Sequence, residues 1–185
     1  MAIKISDGKS FKMQPLKKNN WIFQFSAIPG NNGNQDALAF VAKTCNAPAV
    51  TFADTTIDRM NEQFKFAGKV SWNEINCTFY DFIRNSSSGE LSAGDILYNW
   101  FNMIYNPLTG QMGYKTQYAT SASLAQTDPA GNIIRCWNLF GIYPSNIDWG
   151  AGLDYSSGDA CEITTVFKYD LAIKVSDSQT STESA

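Results

Sequence analysis

The sequence contains no histidine and no two cysteines at the close spacing used by metal sites. Histidine is the commonest general base near neutral pH and a common metal ligand, so its absence disfavours acid–base catalysis and zinc or haem binding. Glycine-rich phosphate loops and a nucleophile elbow are also missing. We therefore expect no enzyme, no catalytic residue, no metal and no cofactor. The four cysteines are expected to be reduced and mostly buried: Cys45, Cys77, Cys136 and Cys161.

Long apolar runs are lacking as well. The longest is Ala37–Ala42, far below the ~20 residues that span a bilayer. The first residues show no apolar core of a signal peptide, so we expect synthesis and folding in a cytosol. A sequence pI of about 4.9 disfavours a nucleic-acid reader. Charge is divided unevenly: residues 1–85 carry 10 Lys/Arg against 7 Asp/Glu, and residues 86–185 carry 4 against 10. The two halves could attract one another between copies, or the lysines could simply solvate a loose N-terminus.

What the sequence does contain is a series of short aromatic-rich segments with strand periodicity. Ile75, Cys77 and Phe79 alternate with polar residues, as do the residues of the last long segment, 160–173. The expected strands are 21–28, 50–59, 62–70, 72–81, 114–126, 133–139 and 160–173, with a turn at Asn61 and a loop over 143–159. This predicts a mainly β, antiparallel β-sandwich or partly closed barrel. The expected organisation is a basic arm over 1–20, one β domain over 21–173, and a disordered Ser/Thr-rich tail over 174–185.

One principal helix is expected to flank the sheets. Ser92 and Asp95 have the spacing of a capping box, and Pro107 ends the helix. Its apolar stripe has helical spacing and consists of Leu97, Trp100, Phe101 and Ile104. A second, shorter helix is predicted over 36–43, with Asp36 as its N-cap.

Alternative sites remain open on the residues alone. Carboxylate pairs such as Asp128 with Asp148, or Glu74 with Glu162, could serve a glycosidase, and the 154–159 loop could hold calcium. Among the five tryptophans, Trp149 lies in a glycine-containing loop, whereas the others lie in segments that face a core. It is the expected loop interface anchor, and in a carbohydrate-binding β-sandwich it could stack on a sugar.

Five blocks of sequence, in order, carry a resemblance to a known family. They are AGKVSWNEINCTFYD (67–81), LYNWFNMIYNPLTGQMGY (97–114), DPAGNIIRCWNLFGIYPSNIDWG (128–150), LDYSSGDACEITTVFKYD (153–170) and, more weakly, WIFQFSAIP (21–29). In these blocks the chain resembles the tail tube proteins of contractile-tailed bacteriophages, and the related tubes of R-type bacteriocins and other contractile injection systems.

The resemblance implies a structural subunit of a virion tail, assembled in the host cytoplasm. Six copies would form a ring, with sheets joined between subunits into one large barrel, and stacked rings would make a hollow tube. The implied partners are further copies of the chain, the sheath, the baseplate, the tail terminator and a tape-measure protein. Double-stranded DNA would pass through the lumen during genome ejection without specific binding. A tube of a bacteriocin or type VI-like machine is the alternative.

Combining the resemblance with the strand pattern gives candidate surfaces. The polar sides of the strands are expected to line the lumen, through Glu74, Asn76, Thr78, Glu162, Thr164 and Lys168. The hairpin over 50–70 is expected to join one ring to the next, through Thr55, Asp58, Arg59, Asn61 and Glu62. Asn99 and Asn102 are expected to turn outward from the helix toward a sheath.

Overall fold

A computed structural model describes residues 15–31, 35–83, 91–150 and 153–175. The expected arm and tail therefore lie largely outside the described residues. The strands are Trp21–Phe25 (β1), Ala42–Cys45 (β2), Val50–Arg59 (β3), Glu62–Trp72 (β4), Ile75–Tyr80 (β5), Tyr105–Asn106 (β6), Gln111–Met112 (β7), Thr120–Thr127 (β8), Ile133–Asp148 (β9), Glu162–Lys168 (β10) and Leu171–Val175 (β11). The helices are Gln35–Val41 (α1), Ala93–Ile104 (α2) and Lys115–Tyr118 (α3).

The long strand β9 belongs to two sheets. Its first half lies between β8 and β11, and β1 pairs with the other side of β8; we call this the first sheet. Its second half pairs with β10, followed by β5 and then β2; we call this the second sheet. All of these pairings are antiparallel, and the described strands form no closed barrel. The predicted mainly β sandwich is therefore confirmed.

Aromatic side chains fill the space between the two sheets. Phe23 and Phe25 of the first sheet meet Phe167 of the second, with ring centroids 6.0 and 5.4 Å apart. Alternate residues of β5 and β10 are fully buried on the same side, as the period of two predicted. Burial of such side chains contributes about 1.5–3 kcal/mol each, so this layer is the main source of stability.

Helix α2 closes one side of the sandwich. Ser92 is its N-cap and accepts a hydrogen bond from the Asp95 backbone N–H at 3.1 Å, which confirms the predicted start. Of the predicted stripe, Leu97 and Trp100 are completely buried, whereas Phe101 and Ile104 are half-buried. The Trp100 ring packs on Phe25 and Phe167, and its indole N–H donates to the Tyr118 carbonyl at 2.7 Å.

Five expectations about the elements were wrong. The segment 143–148, expected as loop, continues β9, because its residues pair with β10. The expected strand 114–126 begins with one turn of helix, α3, and the expected strand 160–173 is divided between two sheets at Tyr169–Asp170. Trp72, expected to begin a strand, ends β4. Helix α1 ends at Val41, so Lys43 lies in a strand, and Asp36 lies inside the first turn, where it accepts a hydrogen bond from Gln24.

A glycine lies where β9 passes from one sheet to the other. Gly141 has a φ of +69°, and a Cβ placed there would lie 2.3 Å from Asp170 Oδ2. Asp170 also forms an ion pair with Lys115 at 2.5 Å. A methyl group would therefore have to displace the Asp170 carboxylate from its position at the corner of the sandwich.

Gly141→Ala is expected to destabilise the fold by about 2–4 kcal/mol, since it combines a positive φ with a steric contact. The measurement is urea unfolding followed by tryptophan fluorescence. Gly131→Ala is the matched control, because Gly131 has a φ of +90° in a turn with no atom near the added Cβ. That control should lose only the backbone contribution, about 1–2 kcal/mol. Equal losses in the two variants would contradict a special role for the β9 corner.

Candidate assembly surfaces

The six residues predicted to line a lumen lie together on the outer side of the second sheet. Thr164 pairs directly with Thr78, and Asn76 follows on the same side of β5. Glu74 precedes β5 and contacts Lys168, and Glu162 ends the same row of side chains. The inward residues between them are completely buried. We call this surface the polar face; it consists of the six predicted residues Glu74, Asn76, Thr78, Glu162, Thr164 and Lys168, together with Lys43 and Asp148, which lie beside them.

Each lysine of the polar face is paired with a carboxylate. Lys168 Nζ lies 3.1 Å from Glu74 Oε1, and Lys43, which sequence reasoning had placed in a helix, contacts Glu162. Lys168 and Lys43 donate hydrogen bonds to Glu74 and Glu162, respectively, and these bonds raise the pKa of each lysine. With the exposed Asp148 opposite Thr164, the surface carries three carboxylates and two ammonium groups. Each of its lysines is therefore held in an ion pair with a glutamate of the same face, so the surface carries no isolated ammonium group among these residues.

The hairpin formed by β3 and β4 projects from the sandwich. Nearly all of its residues are exposed, including the predicted Thr55, Asp58, Arg59, Asn61 and Glu62. The turn occurs at Met60–Asn61, as predicted near Asn61. Met60 has a positive φ of 53° and a side chain that is 97% exposed. A positive φ in a two-residue loop is the usual geometry of a hairpin turn, and it leaves the Met60 side chain exposed at the tip.

One side of the β3–β4 hairpin is apolar in the half nearest its turn. Ile57 pairs with Phe64, and Thr55 pairs with Phe66, so these side chains share a face. Ile57, Phe64 and Phe66 are 55%, 46% and 55% exposed. Sequence reasoning selected the polar residues of this hairpin and missed its apolar ones. The signal was present, since an apolar alternation on a strand pair with no core beside it marks a surface for another molecule.

The two asparagines of α2 differ in their surroundings. Asn102 is exposed, as expected for a residue that faces another protein. Asn99 is half-buried, and its amide donates to Asn31 Oδ1 at 2.9 Å. Asn31 in turn donates to the Ile96 carbonyl at 2.9 Å. Asn99 therefore ties the helix to the segment after β1, and Asn102 is the one of the pair that is available for contact.

Trp149 borders an open groove of about 320 Å³ between α2 and the end of β9. Its ring lies edge to face with Tyr98, with centroids 5.9 Å apart, and it is 45% exposed. The remaining walls are mostly apolar: Phe101, Ile104, Pro144 and Ile147. The groove adjoins the half of β9 that has a strand on only one side. The predicted anchor Trp149 therefore lies in a partly open, mostly apolar groove beside a free strand edge.

The outer side of the first sheet is different in character from the polar face. Register places small polar and apolar residues there and no charged one, over the paired part of β1, β8, β9 and β11. Ile22, Phe140 and Ile173 are each 41–50% exposed on this side. The two outer surfaces of the sandwich are therefore chemically distinct, one charged and one largely apolar.

The part of the chain that the structure covers contains neither a metal-ligating cluster nor a helix that could span a membrane. Within residues 15–31, 35–83, 91–150 and 153–175, no group of three or more metal-ligating side chains comes together. In the same ranges, no helix has the length and apolar character required to cross a membrane. Asp128 and Asp154 accept hydrogen bonds within their own turns, mainly from Asn132 and Ser156, and these bonds lower the pKa of both carboxyls.

Comparison with solved structures gives clear matches at low sequence identity. A chain of the PVC sheath/tube terminator, from an extracellular contractile injection system, is 16% identical with a TM-score of 0.63, and the match covers 89% of this chain and 99% of that one. A chain of the tube-terminating cap of the anti-feeding prophage is 15% identical, with a TM-score of 0.64 and coverage of 88% and 92%.

The SPP1 tail tube is 12% identical, with a TM-score of 0.52 and coverage of 86% and 78%. The chain has the tail-tube fold. No model of a known protein family matches the sequence, and no curated protein sequence matches it. The matches span between 78% and 99% of the three chains, which are described as a sheath/tube terminator, a tube-terminating cap and a tail tube. The resemblance seen in the five sequence blocks is thus confirmed at the level of the fold.

Proposed function

We propose that this chain is a structural subunit of the inner tube of a contractile tail or injection machine. The observation that carries the proposal is the polar face, a hydrophilic, mildly acidic surface on a sheet with free edges. Within the described residues, β2 and the second half of β9 each pair on one side only. Strand edges of this kind are completed by other chains in assemblies. Joining them between copies in a ring would turn the polar face toward a shared bore.

The anchor for this joint is the groove at Trp149. It lies beside the free edge of β9, so a neighbouring subunit that adds its β2 edge there would also cover the Tyr98 and Trp149 rings. Aromatic residues at the centre of an interface supply much of its binding energy. Six copies per ring, as the resemblance implies, are part of this proposal.

The electrostatics of the polar face suit a conduit. A wall with single lysines would bind a DNA backbone through counterion release, and the contacts would multiply with every ring. Here Lys43 and Lys168 are each neutralised by a glutamate on the same face. A duplex would therefore meet a surface with a small excess of negative charge, which resists adhesion.

Stacking of rings is assigned to the hairpin. Its apolar side, Ile57, Phe64 and Phe66, together with the polar residues predicted around the tip, would seat on the next ring. The largely apolar outer side of the first sheet and the exposed Asn102 are left for protein contact outside the bore. We assign these surfaces to the sheath and to neighbouring subunits, and the tube ends to terminator and baseplate. A tape-measure protein would fill the lumen before release.

Two settings fit this role. The SPP1 match favours a bacteriophage tail, in which the chain would be part of a virion and the bore would carry DNA during genome ejection. The injection-system and anti-feeding prophage matches favour a non-viral contractile machine, in which the bore would carry another cargo. The physical requirements on the subunit are shared by both, since each needs a smooth polar channel.

Electron microscopy of the purified, concentrated protein tests the assembly directly. Rings or hollow filaments, formed alone or on a baseplate, are the expected result. A protein that remains monomeric in both conditions would contradict the tube role. A small species that is retained by immobilised sugars would instead support a carbohydrate-binding β-sandwich built on Trp149.

Trp149→Ala is expected to weaken ring formation while leaving the monomer folded. Loss of a central aromatic anchor costs about 2 kcal/mol or more per contact, which is roughly 30-fold in each association constant. Analytical ultracentrifugation over a concentration series measures the shift. Tyr155→Ala is the control, because Tyr155 is also an exposed aromatic but lies outside the groove. Identical assembly of wild type and Trp149→Ala would exclude the groove as the anchor.

A further inference from the structure

Two of the four cysteines are neighbours on adjacent strands. Cys45 of β2 is the direct cross-strand partner of Cys77 of β5, and their Sγ atoms lie 3.0 Å apart. Directly opposed residues in antiparallel strands have Cα atoms about 4.5–5.5 Å apart, which lies within the span of a disulfide. This contact could not be predicted from the sequence, because 31 residues separate the two cysteines.

The two thiols differ in their access to solvent. Cys77 is completely buried, and burial raises the pKa of its thiol well above the usual value. Cys45 is half-exposed and borders an open cleft of about 580 Å³, where Lys18 and Lys43 also lie. Lys43 is paired with Glu162, so the ammonium group of Lys18 is the one that favours the approach of an anionic reagent to Cys45. An oxidant from solution therefore reacts first with Cys45, because Cys77 is buried next to it and is shielded from solvent.

We propose that Cys45 and Cys77 are a modification site at which a small anionic disulfide, of the oxidised glutathione type, converts the pair into a cross-strand disulfide. The Cys45 thiolate attacks one sulfur of the reagent, which forms a mixed disulfide and expels the first small thiol. The Cys77 thiolate then attacks the Cys45 sulfur and expels the second. Two protein thiols are oxidised, one small disulfide is reduced to two thiols, and both protein protons pass to the departing thiolates.

The bond would fasten the base of the projecting hairpin. The whole of β3 and β4 lies between Cys45 and Cys77 in the chain. Next to the cysteine pair, the Asn46 N–H donates to the Asn76 carbonyl at 3.2 Å, and the Asn73 N–H donates to the Ala49 carbonyl at 2.9 Å. A disulfide would add a covalent tie to these few hydrogen bonds. It would also fix β2, the edge strand of the second sheet.

The test is oxidation of the full chain with millimolar oxidised glutathione, compared with the same protein in dithiothreitol. We expect a Cys45–Cys77 cross-linked peptide in a non-reducing digest and no glutathione retained on Cys45 or Cys77, whereas the exposed Cys161 reacts separately. Closing a loop of this length raises Tm on the order of 10 °C for a chain of this size. The outcome does not depend on tube formation, so it can fail while the proposed function holds.

Variants make the assignment specific. The double variant Cys136→Ser/Cys161→Ser retains the pair and should behave as wild type. Cys45→Ser, and separately Cys45→Ala, should lose the cross-link and the rise in Tm, with unchanged circular dichroism. A stable glutathione adduct on Cys45, a cross-link between other cysteines, or thiols that all remain free would overturn the proposal. A Cys45–Cys77 bond without any rise in Tm would overturn its role as a fastener.

Discussion

The double substitution Ile57→Asp/Phe64→Asp is expected to stop filament growth while rings and folded monomers persist. Both side chains are half-exposed partners on the apolar side of the hairpin. If that side packs against the next ring, each substitution removes about 1–2 kcal/mol of burial free energy from the contact. Each new carboxylate must also be desolvated. The combined effect exceeds ~3 kcal/mol for each hairpin, or more than about 100-fold in its association constant, and every subunit of a ring repeats it.

Electron microscopy and sedimentation of the concentrated variant measure this effect. Thermal unfolding should change little, because exposed substitutions usually alter stability by less than about 0.5 kcal/mol. Thr56→Asp/Ala67→Asp is the matched control: it adds the same charge to exposed residues on the opposite side of the same hairpin. That control should still form filaments. Normal filaments from the Ile57/Phe64 variant, or equal loss in both variants, would show that stacking does not use the apolar side.

The second large effect is expected from Glu74→Lys/Glu162→Lys. The wild-type polar face has three carboxylates and two ammonium groups, whereas the variant would have one carboxylate and four ammonium groups. Tubes should still assemble, because the altered residues are exposed and their ion pairs contribute little to folding. DNA passage should suffer, since each free ammonium group in the bore releases counterions from the duplex.

Two readouts apply to this variant. In a phage, infectivity should fall at least about tenfold although tails assemble normally. Purified variant tubes should bind duplex DNA in a salt-dependent manner. Glu74→Gln/Glu162→Gln is the graded control, since it removes the acidic charge without adding a cation. It should bind DNA much more weakly than the lysine variant. Unchanged infectivity and no DNA binding, with normal assembly, would reject the polar face as the lining of the bore.

Local sequence pattern was sufficient to predict the sandwich and the six predicted residues of the polar face. The period of two in β5 and β10 places Ile75, Phe79 and Phe167 inward and Glu74 and Thr164 outward, and no tertiary information is needed for that division. Helix α2 was equally predictable from the sequence, because Ser92 caps it and its apolar stripe has helical spacing. These features depend on residues close together in the chain.

Features that depend on residues far apart in the chain could not be predicted from local sequence pattern. The passage of β9 through both sheets depends on pairing with β10 and on Gly141, so 143–148 was mistaken for a loop. Lys43 joins the polar face only because β2 pairs with β5. The alternation of Ile57, Phe64 and Phe66 was visible in the sequence, but the absence of a core beneath that side depends on how the hairpin projects from the sandwich. The Cys45–Cys77 pair likewise arises from strand register.

A helical reconstruction of the assembled tube by cryo-electron microscopy tests the central claim most directly, because it shows which side of the sandwich faces the axis. The account predicts that Glu74, Asn76 and Glu162 point into the bore, with the edges of β2 and β9 joined between neighbouring subunits. A reconstruction in which these residues point away from the channel, or in which each copy closes its own barrel, would contradict it.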